Sequence, residues 1–101
     1  MQAGFNKTLN CSQIAVTNHV AMRIIERLIP WNDIVQVVET GEIVKEYPDD
    51  TPYPSKLMLK FIHGFPLHVV VSQNMHDLVC YIITEYYPDP LLWSTDFKTK
   101  K

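Results

Sequence analysis

Three side chains able to act on a phosphate ester recur at four-residue steps near the start of the chain: His19, Arg23 and Arg27. At about 3.6 residues per helical turn, that spacing puts all three on one helix face. Imidazole exchanges a proton near neutral pH and can serve as general base or general acid. The guanidinium group presents a planar fork of donors that suits a phosphate, or the charged phosphorane formed when one is attacked. Base, charge stabiliser and acid are what metal-free phosphodiester cleavage requires. The same arginines would serve equally well as surface ion-pair partners of Glu26 or of acidic loop residues.

Further candidates lie downstream. His68 interrupts the apolar run Leu67-His68-Val69-Val70-Val71. Strand alternation points it away from Leu67 and Val69, which could aim it at a cleft. A lone histidine in such a run is also an ordinary interior or edge residue. Tyr53, Ser55 and Tyr86 flank the ends of predicted strands, where a tyrosine can stack on a base, donate to a phosphate or pack at a rim. Lys60 shares one strand face with Lys56 as a short basic stripe, the usual form of solvated or edge-guarding lysines. Four histidines and two cysteines are present, but no HExxH or CxxC spacing, so neither a metal nor another cofactor is expected. Asp49-Asp50 sits among prolines and reads as a turn.

The elements that must position these groups follow from periodicity. Thr17 reads as a helix N-cap. Val20, Ile24 and Leu28 then repeat at helical spacing, with Ala21 and Ile25 beside them, as one apolar stripe. Pro30 ends this helix and opens a second over residues 31–40, closed by Gly41 as a C′ glycine. The two are expected as an αα-hairpin. Strands are predicted at Ile43–Tyr47, Lys56–Ile62, Leu67–Ser72 and Leu78–Tyr86, with the proline-rich 48–54 as loop and turns at 63–66 and 74–77. Short turns imply antiparallel pairing. The expectation is an α+β fold, two N-terminal helices on a three- to four-stranded antiparallel sheet with its other face partly open. Residues 1–11 read as a flexible arm, with at most a short pairing strand near 13–16. Residues 12–97 read as one domain, 91–97 as a short helical turn and 98–101 as a frayed tail.

The 101 residues are 47% hydrophobic and 20% charged, a globular composition. Nine Lys and Arg against eleven Asp and Glu give a net charge of −2, which argues against bulk coating of nucleic acid while leaving room for a local basic site. Cys11 and Cys80 sit in dissimilar contexts and read as free thiols of a reducing compartment, where a disulfide between them is possible in principle but rare. No apolar run reaches the ~18 residues of a membrane span. The first ten residues lack a basic patch followed by an apolar block, so the expected location is the cytoplasm and no membrane partner is expected.

Three stretches carry a family resemblance: His19-Val-Ala-Met-Arg23-Ile-Ile-Glu-Arg27; Thr40-Gly41-Glu42-Ile43 running into Tyr47-Pro48-Asp49-Asp50 and Pro52-Tyr53-Pro54-Ser55; and Pro66-Leu67-His68-Val69-Val70 followed by Ile83-Thr84, Tyr86, Pro88-Asp89-Pro90 and Trp93. In this order and spacing, from about Thr17 to Lys100, the chain resembles the bacterial domain of unknown function 4258. Val20 stands where that family commonly has alanine, a conservative departure. The resemblance implies an RelE/MqsR-like layout of helices followed by antiparallel sheet. It also implies the company of a zinc-finger antitoxin-like partner, and an RNA substrate for a toxin-like, metal-independent endoribonuclease.

Two functions are therefore in play. One is such a ribonuclease, with His19, Arg23, Arg27 and His68 catalytic and Tyr53, Ser55, Lys60 and Tyr86 binding RNA. The other is a non-catalytic module that binds a zinc-finger antitoxin-like protein through an apolar or acidic surface. The first requires His19, the arginines and His68 to open on one common hollow.

Overall fold

A computed structural model of the chain describes residues 9–101. The element order is β1 (Gln13–Ala15), α1 (Asn18–Glu26), α2 (Trp31–Thr40), β2 (Glu42–Tyr47), β3 (Ser55–Ile62), β4 (Phe65–Gln73) and β5 (Val79–Tyr86). Two helices thus precede the main strands, as expected for an α+β chain. The sheet has five strands, in the order β1-β5-β4-β3-β2. Strands β2 to β5 form the anticipated antiparallel meander, but β1 adds to β5 in parallel, so the sheet is mixed rather than purely antiparallel. The short pairing strand allowed for near 13–16 is present as β1, but three residues are too few to display an alternation from which its partner and direction could be read.

The Thr17 hydroxyl accepts the Val20 amide at 3.2 Å, capping α1 as its residue type suggests. The helix stops at Glu26 in a Schellman closure: the Ile29 amide donates to the Ile24 carbonyl and the Leu28 amide to the Ile25 carbonyl. Leu28 occupies the left-handed C′ position, at φ 56°, that glycine usually fills. The early stop overturns the expected apolar stripe. Ile24 is buried and Val20 half-buried, whereas Leu28 turns out to 84% exposure and Ile25 to 66%.

Gly41 closes α2, but with extended backbone at φ −77°. Space, not conformation, demands glycine here: a Cβ would lie 2.3 Å from the Val37 carbonyl oxygen and 3.0 Å from that of Leu59. At the β3–β4 hairpin, by contrast, His63 and Gly64 both take positive φ, the pattern of a two-residue type I′ turn.

The helices lie on one sheet face, α2 over β3 and β4 and α1 over β5. They enclose a core of Ile24, Ile34, Val37 and Val38 against Met58, Leu67, Val69 and Ile82. Two β-bulges then set which side chains reach which face. Val44 is the extra residue opposite the Met58–Leu57 step, and Ile83 the extra residue opposite Val70–Val71. Each reverses the alternation beyond it. Lys45 and Tyr47 consequently share the second face with Leu57 and Ser55, while Glu85 joins Val69 on the helix face.

That second face is covered by the C-terminal segment. Trp93 forms a bridge with Lys100, the Ser94 amide donates to the Thr99 carbonyl, and the Lys101 amide donates to the Leu92 carbonyl. Residues 98–101 are thus folded back rather than frayed, and 91–97 form turns rather than a helical segment. Cys11 and Cys80 form a disulfide with Cα atoms 5.6 Å apart, correcting the expectation of free thiols. Parallel pairing of β1 with β5 brings the two together, a long-range relation that sequence spacing does not carry. Of the arm expected over 1–11, residues 1–8 lie outside the described residues, while Leu9 and Cys11 pack against the core.

Candidate functional site

The polar cluster best held in place lies where α1 crosses the free edge of β5. Strand β1 pairs only with Val79–Tyr81, so among the described residues the backbone beyond it has an open edge. Arg27 closes that edge. Its Nη1 donates to the Glu85 carboxylate Oε2 at 3.0 Å, to the Glu85 backbone carbonyl and to Thr84 Oγ1 at 3.3 Å. Glu85 is wholly buried, and its other carboxylate oxygen, Oε1, has no hydrogen-bond partner among the described residues. Burial raises the Glu85 carboxyl above its ordinary range, opposed by the charge and hydrogen bond of Arg27 and by the charge of Arg23. Arg23 and His19 are exposed on the preceding turns of α1, and neither makes a side-chain hydrogen bond or ion pair among the described residues.

His68 lies on the other side of the sheet. Its strand parity is as anticipated, but the C-terminal segment seals it in. Trp93 meets its ring edge-on at 4.5 Å, and its exposure is 0%. Nε2 lies 2.8 Å from the Phe97 carbonyl, which can only accept, so Nε2 carries the proton. Nδ1, 3.2 Å from the Tyr86 hydroxyl, is left to accept from it. Burial lowers the His68 pKa, against a smaller raising effect of the Phe97 bond, which keeps the ring neutral at pH 7. Burial likewise raises the Tyr86 hydroxyl, with Tyr47 adding to the effect.

His68 therefore does not open on a hollow with His19, Arg23 and Arg27: the sheet lies between them. Of the three α1 groups, Arg27 alone is tied to other polar side chains among the described residues. Of the other sequence-predicted residues, Tyr86 alone joins His68, while the rest are dispersed. Tyr53 stacks on Tyr81 with ring centroids 5.8 Å apart, and its hydroxyl accepts from Asn74. Ser55 is buried and donates to the Asp50 carboxylate. Lys60 shares the helix face of β3 with Met58 and is half-buried.

Among the hollows of the described surface are two that none of the sequence-predicted site residues lines. An apolar one of about 510 Å³ lies between Ile62, Phe65, Tyr87, Pro90 and Phe97. A basic one of about 340 Å³ lies between Lys45, Tyr47, Leu57, Trp93, Lys98 and Lys100. Sequence reading missed Glu85 and Lys45 for one reason: each follows a bulge that reverses its face. The doublets Val44 and Ile83, each beside another β-branched residue, were the only local hint.

Among the described residues no group of three or more His, Cys, Asp or Glu is gathered closely enough to hold a metal ion. No described helix is long and apolar enough to cross a membrane. No curated protein and no solved structure matches the chain. One family model does, over residues 16–87, which include both helices and strands β2 to β5. The chain accordingly belongs to the DUF4258 family, described as a domain of unknown function.

Proposed function

We propose that this chain is a non-catalytic interaction module that binds an antitoxin-like zinc-finger protein through the outward surface of α1. The observation that carries this reading is Leu28. A leucine in left-handed backbone costs about 1–2 kcal/mol relative to the right-handed region, and here it is almost fully exposed. Glycine at this position would relieve the strain, so the side chain serves no purpose in the isolated fold. Met22 and Ile25, at 55% and 66% exposure, continue the apolar surface along the same helix. Exposed apolar surface rimmed by charge is the usual form of a protein contact. Glu26 is the acid of this face, while His19 and Arg23 carry its basic side, so the occupant that fits is an apolar segment bearing acidic residues.

The test is co-expression with a zinc-finger antitoxin-like protein, followed by purification on one tag. The wild type is expected to bring the partner down stoichiometrically. Ile25→Glu and Leu28→Gly are expected to lose it while keeping the fold by circular dichroism. A complex that survives both substitutions, or no complex with the wild type, overturns the reading.

One observation favours the metal-independent endoribonuclease as a second reading. Glu85 is a carboxyl of raised pKa, held against an arginine, with one oxygen unpartnered among the described residues; because it is wholly buried, the pair would act as base and phosphate clamp only after α1 moves to expose it. It dispenses with His68. Purified protein incubated with mixed RNA and a chelator decides it: cleavage abolished by Glu85→Gln supports it, and intact RNA removes it.

A further inference from the structure

We propose that the basic hollow on the second sheet face is a binding site for the phosphate groups of a single-stranded nucleic acid. This site is separate from the α1 surface and does not depend on what binds there. Its walls come from three parts of the chain that the fold brings together: β2, β3 and the folded-back C-terminal segment.

The Val44 bulge is what creates it. Without the extra residue, regular alternation would point Lys45 toward the helices; with it, Lys45 stands beside Leu57 on the second face. The bridge between Trp93 and Lys100 brings Lys98 and Lys100 to the opposite wall. Three lysines thus line one hollow in a protein whose net charge is −2. A concave site concentrates such a local field although the molecule as a whole is acidic.

Aromatic rings hold two of the charges in position. Lys45 Nζ lies 5.4 Å from the centre of the Tyr47 ring, and Lys100 Nζ lies 5.8 Å from that of Trp93. Neither makes an ion pair with a carboxylate among the described residues. Lys98 is bonded to Glu42 at 2.8 Å, and that bond raises its pKa. The hollow therefore carries two ammonium groups without a counterion and a third held by a rim carboxylate. Since the rings face the lysines, the ligand is recognised through its charge and not by base stacking. A volume of about 340 Å³ is at the small end of ligand sites, which span about 300–1,000 Å³, and suits a phosphate with its flanking sugars.

The experiment is fluorescence anisotropy with a labelled oligouridine across a range of salt concentrations. Binding is expected to weaken as salt rises, with a log–log slope of roughly −1.4 to −2.1 for two or three phosphate contacts on a single strand. Lys45→Gln and Lys100→Gln are each expected to weaken binding and to flatten that slope by roughly 0.7. Glu42→Gln frees Lys98 and is expected to strengthen binding severalfold, a gain that mere disturbance of the fold would not produce. Competition identifies the source of the phosphate: unlabelled oligouridine should displace the probe at far lower phosphate concentration than inorganic phosphate or uridine monophosphate. Equal displacement by the free phosphates would overturn the strand assignment. Unchanged affinity in both lysine variants, or weaker binding in Glu42→Gln, would overturn the site.

Discussion

Arg27 Nη1 lies 3.0 Å from Glu85 Oε2, joining the end of α1 to the uncovered edge of β5 across 58 residues of sequence. The two ends of this bridge are unequal. Glu85 is fully buried, whereas the Arg27 side chain keeps 35% of its surface exposed. Arg27→Ala strands a buried carboxylate. Loss of one partner of a fully buried pair costs about 3–5 kcal/mol, and solvent around Arg27 reduces this to about 2 kcal/mol. Glu85→Gln leaves a partly solvated arginine with a neutral acceptor and should cost less than half as much. Urea denaturation of the two variants and the double variant checks the asymmetry: Arg27→Ala should be the worst, and adding Glu85→Gln should restore part of the loss.

Glu85 and His68 give stability opposite dependences on pH. The Glu85 pKa is raised in the folded state above its ordinary 4.5, so its contribution is present below about that pH and lost as pH rises. The His68 pKa is lowered below its ordinary 6.5, so its contribution is present above that value and lost as pH falls. Comparing variants with wild type separates them. Between pH 4.5 and neutrality, Glu85→Gln should remove a component that declines with rising pH. Below pH 6.5, His68→Gln should remove a component that declines with falling pH. The check is the unfolding free energy of each protein against pH, with reversed signs refuting the assigned environments.

The Cys11–Cys80 bridge closes a loop across 69 residues and fixes the β1 segment to β5. Such a closure is typically worth about 2–4 kcal/mol. Thiol titration of the unreduced, denatured protein should find no free thiol. Cys11→Ser or a reductant should lower the thermal midpoint, with hydrogen exchange rising first at Gln13–Ala15. Two titratable thiols in freshly purified protein would contradict the bridge.

Leu28→Gly should raise stability by about 1 kcal/mol, because it removes a side chain from left-handed backbone without touching the core. Gly41→Ala should do the reverse by roughly 2–3 kcal/mol, since the added methyl meets two backbone carbonyls that cannot retreat. Thermal melts of both variants side by side test whether each residue is where it is for strain, space or surface.

Much of this architecture could be read from residue patterns, and the failures share a cause. Thr17, Pro30 and the turn around Gly64 announce their roles through local chemistry, and the meander follows from alternation and short turns. The faces of Glu85 and Lys45 were hidden because each follows a bulge, and a bulge shifts parity without a dedicated residue type. The exposure of Leu28 was hidden because the helix ends at Glu26, with a leucine where glycine would mark the stop. His68 was placed on its proper strand face, but its burial depends on Trp93 and Phe97 from a segment with no helical or strand periodicity. The miss at Leu28 is local, whereas the faces of Glu85 and Lys45 and the burial of His68 concern relations between distant parts of the chain, and the candidate site is made of such relations.

Hydrogen–deuterium exchange on the protein alone and mixed with the zinc-finger antitoxin-like protein proposed as its partner tests the assignment of α1 most directly. Protection gained on binding should concentrate in residues 18–28 and leave β2, β3 and the C-terminal segment unchanged. Protection absent from 18–28, with new protection elsewhere, would contradict the docking role of this helix.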